Sequence, residues 1–239
     1  MHDIYFSFAE KIVLGLGITL CLASFVYEVM RRLLIVFKGL GKLPFDRTGA
    51  RLWRMFREVF LHEKVVKGRF WPGLMHAFVF WGFVIFGLVT LDHFAKGFGI
   101  PLLGLKAHKV YTMIVTPFSI LVIIGILALA YRRFVTKPKT LGKLSPTSGL
   151  VAFFIVVLMV TYLIGEREIP LFLWKINWWI HSVIILAFLF LIPRSKHLHL
   201  VLAPINIFFR PFDQPDHTPV NIDLEGSEEE LDDMLAGLT

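Results

Sequence analysis

The sequence predicts an all-α fold, an integral membrane bundle of five transmembrane helices. Of its 239 residues 56% are hydrophobic and 24 are Phe, and the mean hydropathy of +0.69 far exceeds that of a soluble domain. A membrane-spanning helix needs about 20 apolar residues. Five runs approach this length, and they cover residues 12–37, 73–91, 110–131, 149–164 and 176–192.

The distribution of Lys and Arg predicts the orientation of the bundle. Of the 25 basic side chains, 19 lie in segments 31–72 and 132–143 or after the fifth run, and six lie in the connections on the other side. Basic residues accumulate in cytoplasmic connections. We therefore expect a multi-pass protein of the cell inner membrane, with its N-terminus outside and its C-terminus in the cytoplasm. The same asymmetry accounts for the pI of 9.6 and gives no argument for nucleic acid as a partner.

We expect two regions along the chain. Residues 1–211 form the membrane domain, in which segment 46–70 is predicted as an amphipathic helix on the inner membrane surface. Residues 212–239 form an acidic cytoplasmic tail with nine acidic side chains and no Lys or Arg. Composition leaves two interpretations of this tail open: a solvated disordered end, or a strap that becomes ordered on a cytoplasmic subunit.

The cysteine content excludes several kinds of redox site. Cys21 is the only cysteine and lies in the first apolar run. The chain therefore forms no internal disulfide, ligates no iron–sulfur cluster through thiolates and has no C-x-x-C-H motif for covalent haem. The phosphate-binding loop, the H-E-x-x-H motif and the dinucleotide fingerprint are also absent from the sequence. The histidines remain as the candidates for redox chemistry.

His181 and His199 lie eighteen residues apart at the two ends of the fifth apolar run. In one continuous α-helix, eighteen residues make five turns and about 27 Å, so the two imidazoles would share a face, one near each membrane surface. His197 would point about 160° away from His181 on the same helix. We therefore prefer His199 as the partner of His181 across the membrane.

Other histidines stand at matching depths in the second and third runs. His76 opens the second run at the predicted inner level of His199, whereas His93 closes that run and His108 opens the third, both at the outer level of His181. Ionisable groups in spanning helices are costly and usually functional. A metal that pairs histidines from different helices, without thiolate, is most simply haem iron. We expect two haems b, one on His76 and His199, the other on His181 and His93 with His108 as substitute.

The segment from His181 to His199, with Pro193 twelve residues after the first histidine, resembles the last helix of the membrane cytochrome b (gamma) subunit of respiratory nitrate reductases. The resemblance implies a five-helix bundle with two haems b, the inner one held by His199 and His76. The family's outer haem uses a second-helix histidine about ten residues further along. Phe86 occupies that position here, so His93 or His108 must substitute, or the outer site differs.

Five short segments, in order along the chain, resemble the membrane part of heterodisulfide-reductase-like respiratory proteins. Many of those proteins continue into a cytoplasmic iron–sulfur domain that exchanges electrons with a quinone pool through the haems. Because this chain has no cysteine cluster, the resemblance implies a separate cytoplasmic iron–sulfur subunit. The segments are residues 73–76, 80–83, 131–133, 196–199 and 203–206.

The resulting hypothesis is an electron-transfer subunit of a quinone-linked membrane oxidoreductase, which relays electrons between quinone or menaquinone and the iron–sulfur subunit. The alternative is a membrane anchor or transporter-like subunit without a redox role. Lys109 is a candidate to hydrogen-bond a quinone carbonyl. Arg132, Arg133, Arg194 and Lys196 are candidates to pair with haem propionates, or else serve as ordinary anchors at the cytoplasmic membrane surface.

Overall fold

The computed structural model describes residues 6–39, 45–141 and 144–212, and the regular secondary structure in these ranges is entirely helical. Five of the helices are long and apolar enough to cross a membrane, which confirms the predicted fold class. The predicted tail lies outside the described residues from position 213 onward. The α-helices are α1 (Phe8–Gly39), α2 (Thr48–Met55), α3 (Glu63–Gly68), α4 (Phe70–Gly97), α5 (Leu105–Tyr131), α6 (Pro146–Gly165), α7 (Leu171–Leu191) and α8 (His199–Phe209).

The spanning helices α1, α4, α5, α6 and α7 each extend beyond the apolar run that predicted them. Polar and aromatic residues continue the helices outside the apolar stretch. In α4, for example, Asp92 and Lys96 form an ion pair of 2.7 Å one turn apart. At the start of α1, Ser7 and Glu10 form a reciprocal capping box in which each side-chain oxygen accepts the other residue's backbone N–H, at 3.3 and 2.8 Å.

Helices α4, α5, α6 and α7 pack in sequence, each against the next, and α1 packs against α7. Glu10 and Lys175 form an ion pair of 2.8 Å near the starts of α1 and α7, and Arg194, just after α7, reaches Ser24 further along α1. The two helices therefore run parallel. The interior of α4, α5 and α6 is filled by the buried side chains of Phe86, Val115, Val122, Met159 and Tyr162. This apolar core separates the two ends of the bundle, where the histidines lie.

Glycines allow α4 and α5 to approach closely. A Cβ atom on Gly125 would lie 2.8 Å from the carbonyl oxygen of Met75, and one on Gly82 would collide with a methyl group of Val122. Between helices in a membrane, small residues of this kind let backbones come together and gain dispersion contacts. The α4–α5 spacing therefore depends on these two positions.

The expectation of one continuous helix from His181 to His199 is wrong. Helix α7 ends at Leu191, two short 3₁₀ turns follow at Ile192–Arg194 and Lys196–Leu198, and α8 begins at His199. Pro193 accounts for the break, because it has no N–H to continue the helix and its ring clashes with the preceding turn. Ser195 between the two turns is extended, with φ −126° and ψ 172°. The argument from helical phase therefore does not apply to His197 and His199.

The amphipathic segment predicted over 46–70 consists of α2, a π-helical turn at Phe56–Phe60, and α3, in place of a single helix. Its polar groups attach it to the neighbouring helices. Arg51, which is buried, donates to the carbonyl of Phe208 at 3.1 Å, and Arg54 donates to that of Ile207 at 2.9 Å. These carbonyls belong to the last turn of α8 and lack helical partners of their own. The segment thus caps α8.

Gly125→Ala is expected to destabilise the bundle by about 1–3 kcal/mol, because the new methyl group meets the α4 backbone and forces α4 and α5 apart. Gly87→Ala is the matched control, since nothing lies within 4 Å of its Cβ position in α4. Thermal unfolding of the detergent-purified proteins measures the difference. Equal midpoints for the two variants would contradict the close α4–α5 approach.

Candidate cofactor sites in the helical bundle

The structure brings His76 of α4 and His199 of α8 together at one end of the bundle, called the inner end after the predicted orientation. Their ring centroids are 6.2 Å apart and their planes are inclined by 36°. His199 Nδ1 donates to the carbonyl of Lys196 at 2.9 Å, so its Nε2 carries the free lone pair. His76 Nδ1 is buried and has no hydrogen-bond partner within the described part of the chain.

The inner pair has the donor set and spacing of two axial imidazoles. Two rings on opposite sides of one metal ion, with nitrogens about 2.0–2.1 Å from it, have centres roughly 6 Å apart. The observed separation of His76 and His199 agrees with this value. The unpaired nitrogen of His76 also indicates a missing partner, because buried polar atoms are nearly always bonded. The residues at the inner end therefore fit an iron ion carried by haem.

Two further histidines adjoin the inner pair. His62 lies 5.4 Å from the ring of His76 and packs on Phe80 at 4.7 Å, and burial lowers its pKa below the ordinary value. His197 lies 6.2 Å from His199, and its pKa falls to about 4, chiefly through burial and then through neighbouring cationic groups. His62 lies in the segment 46–70, which the sequence predicts as an amphipathic surface helix, yet its backbone is left-handed (φ 51°) and the residue is buried. Periodicity gives no signal for such a turn.

The second pair, His93 of α4 and His181 of α7, lies at the opposite, outer end, with ring centroids 4.9 Å apart. Thr161 orients His181. Its hydroxyl donates to the carbonyl of Val157 at 2.7 Å, so its oxygen accepts a hydrogen bond from His181 Nδ1 at 2.6 Å. His181 is thus held in the tautomer with a free lone pair on Nε2. The ring of His93 stacks on Trp178 at 4.6 Å.

The two rings of the outer pair lie closer together than those of the inner pair. His93 Nε2 is bonded to the hydroxyl of Ser182 at 2.8 Å, and the 4.9 Å between the two rings is less than the roughly 6 Å that two axial imidazoles require. In ligand type the pair suits haem iron, because it offers two imidazoles from different helices. To hold a metal, His93 must turn away from Ser182 and the rings must separate by about 1 Å.

A cavity of about 90 Å³ adjoins the outer pair, with room for a few water molecules. His108 lines this cavity, with its ring nitrogens 3.9 Å from Asp92 and 3.9 Å from Glu166. Lys96 also lines it and lies 3.4 Å from His108 Nδ1. The structure thus places His108 among charged groups, whereas His93 faces His181 directly. Lys109 is exposed and is not part of the lining.

The four residues predicted to meet haem propionates separate into two places. Burial, and then the nearby charge of Arg133, lower the pKa of Lys196, and the charges of both residues act on His197. Arg132 begins the π-helical turn that follows α5. The guanidinium of Arg194 instead reaches helix α1, where it donates to the Ser24 hydroxyl at 2.6 Å. Arg133 and Lys196 are therefore grouped near the inner pair, and Arg194 is not.

Among the described residues, no group of three or more His, Cys, Asp and Glu side chains is arranged to hold a metal ion. Each histidine pair supplies two protein ligands. A metal at either pair would consequently need its remaining ligands from a cofactor, as the four nitrogens of a porphyrin provide.

Two curated proteins are similar to this chain. The probable iron-sulfur-binding oxidoreductase FadF of Bacillus subtilis (strain 168) is 30% identical over 218 residues, covering 77% of this chain and 30% of its own length. The EtfAB:quinone oxidoreductase of Syntrophomonas wolfei subsp. wolfei (strain DSM 2245B / Goettingen) is 24% identical over 204 residues, covering 69% and 28%. The chain therefore spans less than a third of either relative. No family model and no solved structure matches it.

These similarities relate the chain to iron–sulfur and quinone oxidoreductases and associate it with electron transfer. Its five long apolar helices are those of a multi-pass membrane protein. Neither of the two relatives is a nitrate reductase subunit, so that resemblance stays a prediction. The haem ligands, the quinone contact and the heterodisulfide-reductase-like partner also stay predictions.

We expect Asp92 to stabilise the outer connection between α4 and α5. Asp92→Ala should therefore lower the midpoint of thermal unfolding more than Asp92→Asn does. Its Oδ1 accepts the backbone N–H groups of Leu102 and Leu103 at 2.8 and 2.9 Å, and its Oδ2 pairs with Lys96. Asparagine keeps one oxygen for the backbone, whereas alanine loses every bond, each contributing about 1.5–3 kcal/mol. Equal losses in the two variants would show that the backbone cap contributes nothing.

Proposed function

We propose that the chain is a membrane cytochrome b subunit that relays electrons between quinone or menaquinone and an iron–sulfur oxidoreductase subunit on the cytoplasmic side. One observation carries the proposal: two pairs of facing histidines, His76 with His199 and His93 with His181, at opposite ends of one helical bundle. The names of the two relatives, an iron-sulfur-binding oxidoreductase and a quinone oxidoreductase, support the same assignment.

The spacing of the pairs suits transfer across a membrane. His76 and His93 lie on the same helix, α4, seventeen residues apart, which is about 25 Å at 1.5 Å per residue. This distance is close to the thickness of the hydrocarbon layer, roughly 30 Å. A single rigid element thus carries one ligand of each proposed site and sets the separation of the two sites.

In this proposal haem supplies a reversible one-electron change at iron, and the chain binds and orients it. His76 and His199 would hold the inner haem, and His93 and His181 would hold the outer one after His93 turns away from Ser182. The carbonyl of Lys196 and the hydroxyl of Thr161 accept the Nδ1 protons of His199 and His181, which keeps the Nε2 lone pairs available. The apolar core between the ends excludes water from the path.

Quinone is proposed to bind at the outer cavity beside His93 and His181. Lys96 and His108 line that cavity and offer hydrogen bonds to a quinone carbonyl. Lys109 remains a candidate contact from the exposed surface, although Lys96 is better placed to reach a bound head group. The cavity must widen to admit a ring, because typical small-molecule sites measure about 300 Å³ or more.

At the inner end, Arg133 and Lys196 are proposed to neutralise haem propionates, with Arg132 next to Arg133 in the chain. Arg194 is not proposed for this role, because its guanidinium is directed to Ser24 and Glu28 of α1. Electrons would pass to an iron–sulfur cluster held by another polypeptide or another segment, because this sequence has one cysteine and cannot ligate a cluster. We further propose that the acidic residues 213–239 dock that cytoplasmic subunit. The sequence of this tail, with nine acids and no Lys or Arg, supports binding to a basic surface.

Visible spectra of the purified chain, air-oxidised and dithionite-reduced, test the proposal. We expect a reduced b-type α-band and two haems per chain by pyridine haemochrome. His199→Ala should lose one haem and keep the other, because the pairs share no ligand, and His197→Ala should keep both. A chain without a b-type band when expressed with sufficient haem would contradict the proposal. Loss of haem from His197→Ala alone would contradict the assignment of His199.

The outer ligand is tested by His93→Ala and His108→Ala. We expect His93→Ala to lose the outer haem, because His93 faces His181 from a rigid helix, and His108→Ala to keep two haems. Pyridine haemochrome counting of both proteins measures the result. Two haems retained in His93→Ala, with one lost from His108→Ala, would move the outer ligand to α5.

A further inference from the structure

Three arginines surround a single carboxylate at the inner end of helices α1 and α7. The side chain of Glu28 is 14% exposed and forms ion pairs with Arg32 at 2.9 Å, Arg31 at 3.2 Å and Arg194 at 3.5 Å. In the described residues no second carboxylate forms an ion pair with these three groups. The cluster of Arg31, Arg32, Arg194 and Glu28, called the arginine cluster below, therefore keeps a net charge of about +2 at neutral pH.

The arginine cluster lies where both helices leave the membrane. The apolar span of α1 covers Phe8–Leu34, and that of α7 with its following turn covers Leu171–Arg194. The two helices run parallel, so these span ends come together. Charges at this depth lie at the level of phospholipid head groups, where basic side chains attract anionic lipids.

Arg194 is held in place before any ligand arrives. It donates to the hydroxyl of Ser24 at 2.6 Å and to the carbonyl of Phe190 at 2.9 Å, and its guanidinium lies 3.8 Å from the centre of the Phe190 ring. A fixed guanidinium loses little conformational freedom on binding. Arginine also matches a phosphate with two parallel hydrogen bonds.

The surfaces next to the arginine cluster suit acyl chains. Leu20 of α1 is 69% exposed, and Val183 and Phe190 of α7 are 55% and 47% exposed, on the part of each helix inside the apolar span. A ligand with a negative phosphate and long apolar chains satisfies both the cationic cluster and these side chains. A soluble carboxylate would satisfy only the first.

We propose that the arginine cluster, where α1 meets the turn after α7, binds the phosphodiester of an anionic phospholipid such as phosphatidylglycerol. The site is separate from the proposed haem ligands, and the proposal does not depend on haem or on electron transfer. A phospholipid bound there would contact both α1 and the turn after α7, and α1 packs mainly against α7.

Native mass spectrometry of the detergent-purified full-length chain, titrated with phosphatidylglycerol and separately with phosphatidylcholine, tests the site. We expect preferential binding of one phosphatidylglycerol molecule. Arg31→Gln combined with Arg32→Gln should weaken that binding about 25-fold, at roughly five-fold per arginine. Glu28→Gln should strengthen it, because the net positive charge increases by one. Arg167→Gln, an exposed position at the other end of the bundle, is the matched control and should change nothing.

Two outcomes would overturn the proposal. The first is equal binding of phosphatidylglycerol and phosphatidylcholine by the unchanged chain. The second is unchanged phosphatidylglycerol affinity in the double arginine variant or a loss of affinity in Glu28→Gln.

Discussion

Backbone hydrogen bonding in a medium without water is the constraint on which the structure depends. Within the hydrocarbon layer every N–H and C=O group must find a partner in the protein, so the chain crosses as complete helices and departs from helix only near the ends of its spans. The break at Pro193 follows this rule, because it falls where α7 leaves the apolar span. The carbonyls freed at the end of α8 are bonded by Arg51 and Arg54 instead of water.

The same constraint explains what the sequence could predict. Five apolar runs predicted the spanning helices correctly, because lipid requires long uninterrupted hydrophobic segments. The ends of those helices were missed, since hydropathy detects contact with lipid and not helix itself. In α4 the pair Asp92–Lys96 continues the helix beyond its apolar run. Depth along the chain also predicted which histidines would meet, although one of its premises, a continuous helix through Pro193, was wrong.

Local backbone geometry could not be predicted in the same way. His62 is turned inward by a left-handed conformation, and Ser195 is extended between two short turns. Neither conformation has a periodic signature, because each depends on the packing of neighbouring elements. Arg194 illustrates a second limit: its sequence position suits a propionate, but its direction is set by Ser24 and Glu28 on a helix far away in the chain.

The two histidine pairs differ in how the fold supports them. His93 and His181 both lie within spanning helices, whereas His199 is the first residue of α8 and lies beyond the break after α7. The position of His199 therefore depends on the short helix α8, whose C-terminal end is hydrogen-bonded to α2. A displacement of α2 at the membrane surface would therefore shift α8 and the imidazole of His199, while His93 and His181 keep their positions in the spanning helices.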